Sequence, residues 1–172
     1  EDDLFCQVNL WFTVALLLNG DQPRRIFRVF PPMRDGEDRW DGFGGMDEPG
    51  MRAAMAGRVA FGVADLELAK ALWLAFKGRD WPRMEALAKM ESPCFRDLEA
   101  VVAAQIARFP ADGSLGRPHR VLSGILAEGK VAFEDIFKEF SRRAGIYGFG
   151  DLQVKSLLRE LDAAQATGGP DA

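Results

Sequence analysis

Three apolar stripes at helical spacing, all in the last third of the chain, constrain this sequence more than any other feature. Pro118, Val121, Leu122, Ile125 and Leu126 fall on one face of a helix that Gly129 terminates. Phe133, Ile136, Phe137 and Phe140 make the second stripe, and Val154, Leu157, Leu158 and Leu161 the third, with Asp151 as its N-cap. Three short helices with facing apolar stripes close a small core, which predicts a unit shaped like the helix-turn-helix core of a winged-helix domain. Two departures from that pattern are visible. The second turn, Ala144 to Gly150, is longer than the roughly 3 to 4 residues usual in such motifs, and no β-hairpin wing follows Leu161.

Upstream, Asp2 and Asp3 read as N-cap and first-turn residues of a helix over 4–18, with Gly20 as its C-terminal cap. Its polar residues Cys6, Asn9 and Thr13 form only a narrow stripe, so the helix is expected to be buried on most sides, as helices that cover a sheet are. Ile26 to Phe30 is the best strand, ended by Pro31 and Pro32. A helix followed by a strand predicts a βαβ-like unit whose first strand lies before residue 1. Residue 1 is Glu and helix signals begin at once, so the chain is expected to start inside a larger domain. Glu48 to Gly57 reads as a short helix, Asp65 as the N-cap of an amphipathic helix through Phe76, Asp80-Trp81-Pro82 as the start of another, and Ser92-Pro93 as the start of one reaching Phe109.

The expected fold is therefore mainly α. Residues 1–45 form a truncated α/β (βαβ-like) piece, 46–110 a helical region, 111–166 a three-helix helix-turn-helix-like unit without a wing, and 167–172 a disordered tail.

Charge narrows the partners. Residues 111–161 carry 8 Lys and Arg against 7 Asp and Glu in a chain of net charge -4. Affinity for nucleic acid comes mostly from neutralised phosphates, so this balance argues against tight non-specific binding without excluding a local basic patch. Cys6 and Cys94 are far apart and form no CxxC pair, which points to reduced thiols and a cytoplasmic location. The longest apolar stretch, Leu10 to Leu18, falls short of the roughly 20 residues of a membrane span. The acidic start does not suit a signal peptide.

The candidate sites are few, and each has a plainer reading. Asp3 and Gln7 share the start of the first helix, where an open α/β sheet would present a carboxylate to a ligand; Asp3 as a simple helix cap is the alternative. Gly42, Gly44 and Gly45 offer backbone N–H groups to a phosphate, but without the Lys-Ser/Thr of a P-loop, so a structural turn carrying Trp40 and Phe43 is the better account. His119 is the only histidine, which removes multi-histidine metal sites, and no cofactor is implied. Gln153, Lys155, Ser156 and Arg159 point away from the last apolar stripe, and Arg142 and Arg143 stand at the turn before it. These are residue types that contact bases and phosphates, and equally those of a solvated helix face.

The segment Asp3, Leu4, Phe5, Gln7 and Leu10 resembles the strand-exit pattern Asp-x-Phe/Tyr-x-Gln-x-x-Leu of a bacterial domain-of-unknown-function family, number 1835. Cys6 departs from the Asp often found at its position. Arg58, Leu68 to Phe76, Phe95 and Arg108-Phe109-Pro110 also fall where such proteins have them, and the C-terminal unit resembles the companion domain of unknown function, number 3658. The resemblance supplies no activity. It implies an N-terminal α/β portion, with a Gly-Asp loop after its first strand, that this chain lacks, and it places Asp3 and Gln7 on the remaining half of whatever site that portion builds.

The functional expectation is a non-enzymatic interaction or regulatory protein whose C-terminal unit contacts protein or nucleic acid, with no membrane partner. One alternative is an α/β enzyme or binder of a nucleotide-like ligand near Asp3, Gln7 and the Gly42 to Gly45 loop. The other is a DNA-binding transcriptional regulator.

Overall fold

The computed structural model describes residues 2–18, 25–32, 40 and 42–167, with side chains as far as 164. The expected Gly20 cap and the tail beyond Thr167 lie outside the described residues. The chain is mainly helical with one small sheet, and it divides into two compact units, Glu1–Ala103 and Ala104–Ala172.

The first unit is built on α1 (Leu4–Leu17) and α3 (Val63–Gly78). Leu4, Trp11, Val14 and Ala15 of α1 are buried, as are Leu68, Ala69, Leu72 and Ala75 of α3. Trp11 meets Phe76 edge-on at 6.4 Å. Each large aliphatic side chain so covered contributes about 1.5 to 3 kcal/mol. α2 (Glu48–Ala56) precedes α3, and α4 (Trp81–Ala88) follows it after Arg79, whose left-handed φ of 55° closes α3. Asp47 and Asp80 cap α2 and α4 by accepting from the N–H groups of Gly50 and Arg83.

Four features differ from the sequence reading. The strand expected over 26–30 is the two-residue β1 (Phe27–Arg28), and its partner is β2 (Val59–Ala60), antiparallel with Phe27 opposite Ala60. That partner, an extended segment between α2 and α3, was not part of the sequence reading. α1 leaves Phe5, Phe12 and Leu16 exposed, because the face holding its polar residues Asn9 and Thr13 is wider than those residues alone. Asp65 is the third residue of α3, not its cap; its carboxylate reaches back to the N–H of Gly62 at 2.8 Å. Ser92 starts a turn, and α5 (Leu98–Ile106) begins only after Asp97, whose φ of 58° interrupts the backbone.

In the second unit α6 (Arg117–Ala127), α7 (Phe133–Ala144) and α8 (Asp151–Thr167) stand where the three stripes predict helices, and α6 packs on both α7 and α8. Leu122, Ile125, Ile136, Phe140, Val154 and Leu161 fill the core. Gly129, with φ 84°, makes the first turn. The second is longer for a physical reason. A 3-10 turn, Gly145–Tyr147, buries Ile146 and Tyr147, Gly148 reverses the chain at φ 62°, and Phe149 stacks on Phe140 at 6.3 Å. The extra residues are core, not linker. α8 runs to Thr167, the last described residue.

Candidate functional site

Asp3 and Gln7 are both buried. Asp3 accepts the N–H of Cys6 at 2.9 Å, the ordinary work of a helix cap. Gln7 donates to the carbonyls of Asp2 at 3.0 Å and Arg96 at 2.9 Å, while its Oε1 and, one turn on, the Trp11 Nε1 have no hydrogen-bond partner. Beside them Arg28 and Asp2 form an ion pair at 2.9 Å with side chains only 10% and 12% exposed. The ring of Phe30 lies against two guanidinium groups, Arg96 at 3.8 Å and Arg28 at 5.1 Å. These contacts seal the start of α1 against its own unit.

None of the hydrogen bonds of Asp3 or Gln7 reaches the glycine loop. Gly42 and Gly45 are there because the turn needs left-handed backbone, φ 65° and 72°, with Gly44 between them. The helix that follows already has an anion at its N-terminus, the Asp47 carboxylate.

A second buried polar group escaped the sequence reading. Asp65 accepts from the Ser92 hydroxyl at 2.6 Å, Ser92 accepts from the Cys94 N–H at 3.1 Å, and the Cys94 thiol donates to the Ala60 carbonyl at 3.7 Å. Burial first, then the negative charge of Asp65, push the Cys94 thiol up to about 12. A thiol held protonated is no nucleophile. The adjoining cleft, 800 Å³ and wide open, is lined by Glu91, Asp97 and Glu99 against one cation, Lys89. The available clue was the spacing of Gly62 and Asp65, which fits a capping box as well as Asp65 fits a cap.

On α8, Gln153, Lys155, Ser156 and Arg159 are exposed as expected, but the charges of this region are already engaged. Lys155 pairs with Asp151 at 3.2 Å and lies over the Phe133 ring at 4.4 Å. Ser156 is directed at Glu160, and Arg159 donates to the carbonyl of Lys155. Arg142 binds Glu139, while Arg143 binds both Glu139 and Glu128. These two arginines hold the Glu139 carboxyl down at about 2. His119 pairs with Glu160 at 3.0 Å. A phosphate approaching Arg142, Arg143 or Lys155 competes with carboxylates already in place.

An exposed apolar seam of the first unit runs along α1 and α3. Phe5, Phe12 and Leu16, at i, i+7 and i+11, are 50%, 43% and 57% exposed, and Leu74 of α3 is 49% exposed. Phe12 lies 5.0 Å from the ring of Trp73. Between the helices is a groove of 160 Å³ lined by Phe12, Ala15, Leu16, Trp73 and Leu74, with Lys70 and Lys77 at its edge.

No protein-family model, curated protein or solved structure matches this chain. Among the described residues there is no cluster of three or more His, Cys, Asp or Glu fit to hold a metal ion, and no helix is long and apolar enough to cross a membrane.

Proposed function

We propose that this chain is a non-enzymatic interaction protein of the cytoplasm, and that it docks an amphipathic helix bearing carboxylates through the α1–α3 seam. The observation that carries the reading is the exposed pair Phe12 and Leu16 beside Leu74, with Phe5 beyond Asn9 on the same face. Single exposed apolar residues are ordinary, but a row along a groove is the form in which a partner helix is received. Lys70 and Lys77 make no ion pair with a described residue, so the rim is positive and selects negative charge on the partner. The protonated Cys94 thiol and the His119–Glu160 pair favour binding over catalysis. The paired cations around α8 weigh against a DNA-binding regulator and leave the C-terminal unit a less favoured docking surface than the seam.

The test is titration with designed amphipathic helices sharing one apolar face, flanked by Glu in one set and by Lys in the other, followed by the fluorescence of the protein's tryptophans and by sedimentation. The expected result is saturable binding of the Glu-flanked set alone, lost in the double variant Phe12→Asp, Leu16→Asp. Equal binding of the Lys-flanked set, or binding that survives the double variant, overturns the reading. Self-association abolished by the same variant would replace the partner helix with a second copy of the chain.

A further inference from the structure

A cationic cluster in the second unit uses none of these residues. Gly116 rests on the backbone of Arg108 so closely that a Cβ there would come within 2.9 Å of the Arg108 carbonyl carbon, and the Arg117 N–H donates to the Ala107 carbonyl at 2.8 Å. Arg108 and Arg117 therefore leave adjoining stretches of backbone. The Arg117 guanidinium lies 5.8 Å from the centre of the Tyr147 ring, that of Arg108 lies 5.2 Å from the Phe149 ring, and the two rings are 5.3 Å apart. Neither guanidinium makes an ion pair with a described residue, although Arg142, Arg143 and Lys155 of the same unit all have carboxylates. Arg108 gives one N–H to Gln105 at 3.1 Å. Arg120 also acts on the Tyr147 phenol, while its guanidinium donates to the Leu115 carbonyl and faces the charge of Asp112.

Tyr147 lies beneath them, fully buried, and its hydroxyl makes no hydrogen bond. Arg117 is beside the phenol without the alignment of a bond to it. Burial raises the phenol's pKa while Arg117 and Arg108 act in the other direction. α6 also begins here, an 11-residue helix whose cap residue Gly116 supplies no side chain, so the positive end of its dipole adds to the two charges.

We propose that Arg108 and Arg117, with the Tyr147 hydroxyl beneath them, bind the phosphoryl group of a phosphate monoester. Two guanidinium forks and one phenol match a dianion with three acceptor oxygens, whereas a carboxylate, with two oxygens and one charge, leaves one guanidinium uncompensated. The Arg117 side chain turns from the phenol to the ligand as it binds. This site is independent of the seam on α1 and α3, and either can fail without the other.

Tyr147 is the only tyrosine in the chain, so 3-fluorotyrosine labelling gives one ¹⁹F resonance at the site. The labelled protein is titrated with inorganic phosphate, phenyl phosphate and a nucleoside 5′-monophosphate at constant ionic strength, with sodium chloride and sodium sulfate as controls. A saturable shift with the phosphate compounds, strongest with an ester, is expected. Arg117→Gln weakens it about tenfold or more, the loss expected for one charge-assisted contact, with Arg117→Lys between the two and the circular dichroism of both variants unchanged. No saturable shift with any phosphate probe, an equal response to chloride or sulfate, or unchanged affinity in Arg117→Gln overturns the proposal. Tighter binding of inorganic phosphate than of either ester overturns the monoester.

Discussion

The side-chain amide of Gln7 donates to the backbone carbonyl of Arg96 at 2.9 Å, joining the start of α1 to a segment 89 residues further along the chain. The same amide serves the Asp2 carbonyl. Replacing Gln7 by Leu keeps the volume and removes both bonds, at an expected cost of about 1 to 3 kcal/mol from two part-buried carbonyls left without their donor. Gln7→Glu is expected to cost more, since a carboxylate then faces two carbonyl oxygens. Urea unfolding of the two variants checks the order; equal stability to wild type would show that the link is dispensable.

Asp65 holds two partners at once, the Gly62 N–H and the Ser92 hydroxyl. Asp65→Ala is expected to lose about 2 kcal/mol and Ser92→Ala about 1 kcal/mol. Because they share one contact, the double variant should lose less than the sum, by roughly 0.5 kcal/mol or more. A double-mutant cycle in urea measures this directly, and strict additivity would mean that the two side chains do not interact in solution.

Cys94 makes stability depend on pH in the alkaline range. Its thiol is raised from 9.0 to about 12 in the folded protein, so between those values the unfolded chain has released a proton that the folded one retains. Stability is complete below 9 from this group and falls as pH rises toward 12. Cys94→Ala should show a shallower alkaline decline in urea midpoint than wild type, and the exposed thiol of the unfolded chain should react with alkylating reagents well before that of the folded one.

Glu139 acts at the other end of the scale. Its carboxyl, ordinarily near 4.5, is held at about 2 by Arg142 first and then Arg143. The contribution is present above the ordinary value and is lost as pH falls toward 2. Glu139→Gln should therefore unfold with less dependence on acid, measured as the change in urea midpoint between about pH 5 and pH 3. An identical acid limb in the variant would show that the pair gives no net stability.

Helices that carry a complete apolar stripe were readable from the sequence. Val121 to Leu126, Phe133 to Phe140 and Val154 to Leu161 all lie in helices, because each element's period is fixed locally. What was not readable depended on distant partners. β1 needed β2, 33 residues away in the Phe27–Ala60 register and outside any periodic pattern, to reveal an antiparallel ribbon. Phe5, Phe12 and Leu16 looked buried because hydropathy reports what a side chain prefers, not whether a neighbour covers it. The arginines singled out, Arg142 and Arg143, were those beside the expected recognition helix, and their carboxylates Glu128 and Glu139 come from one turn back or from a preceding helix end. Arg108 and Arg117 were passed over because it is the close approach of Gly116 and the Arg117–Ala107 backbone bond that make them neighbours.

Gly116 also sets where this sequence is free to drift. Every other residue adds a Cβ where Arg108 leaves no room, so that one position is closed to change. The stretch from Ala111 to Leu115 between them is exposed, and its hydrogen bonds are mostly local turns, the Gly113 N–H to the Pro110 carbonyl and the Ser114 N–H to Asp112, with Arg120 reaching the Leu115 carbonyl. Insertions and substitutions there should accumulate between descendants of this chain without moving α6, while a single methyl at Gly116 forces the backbone at Arg108 to shift.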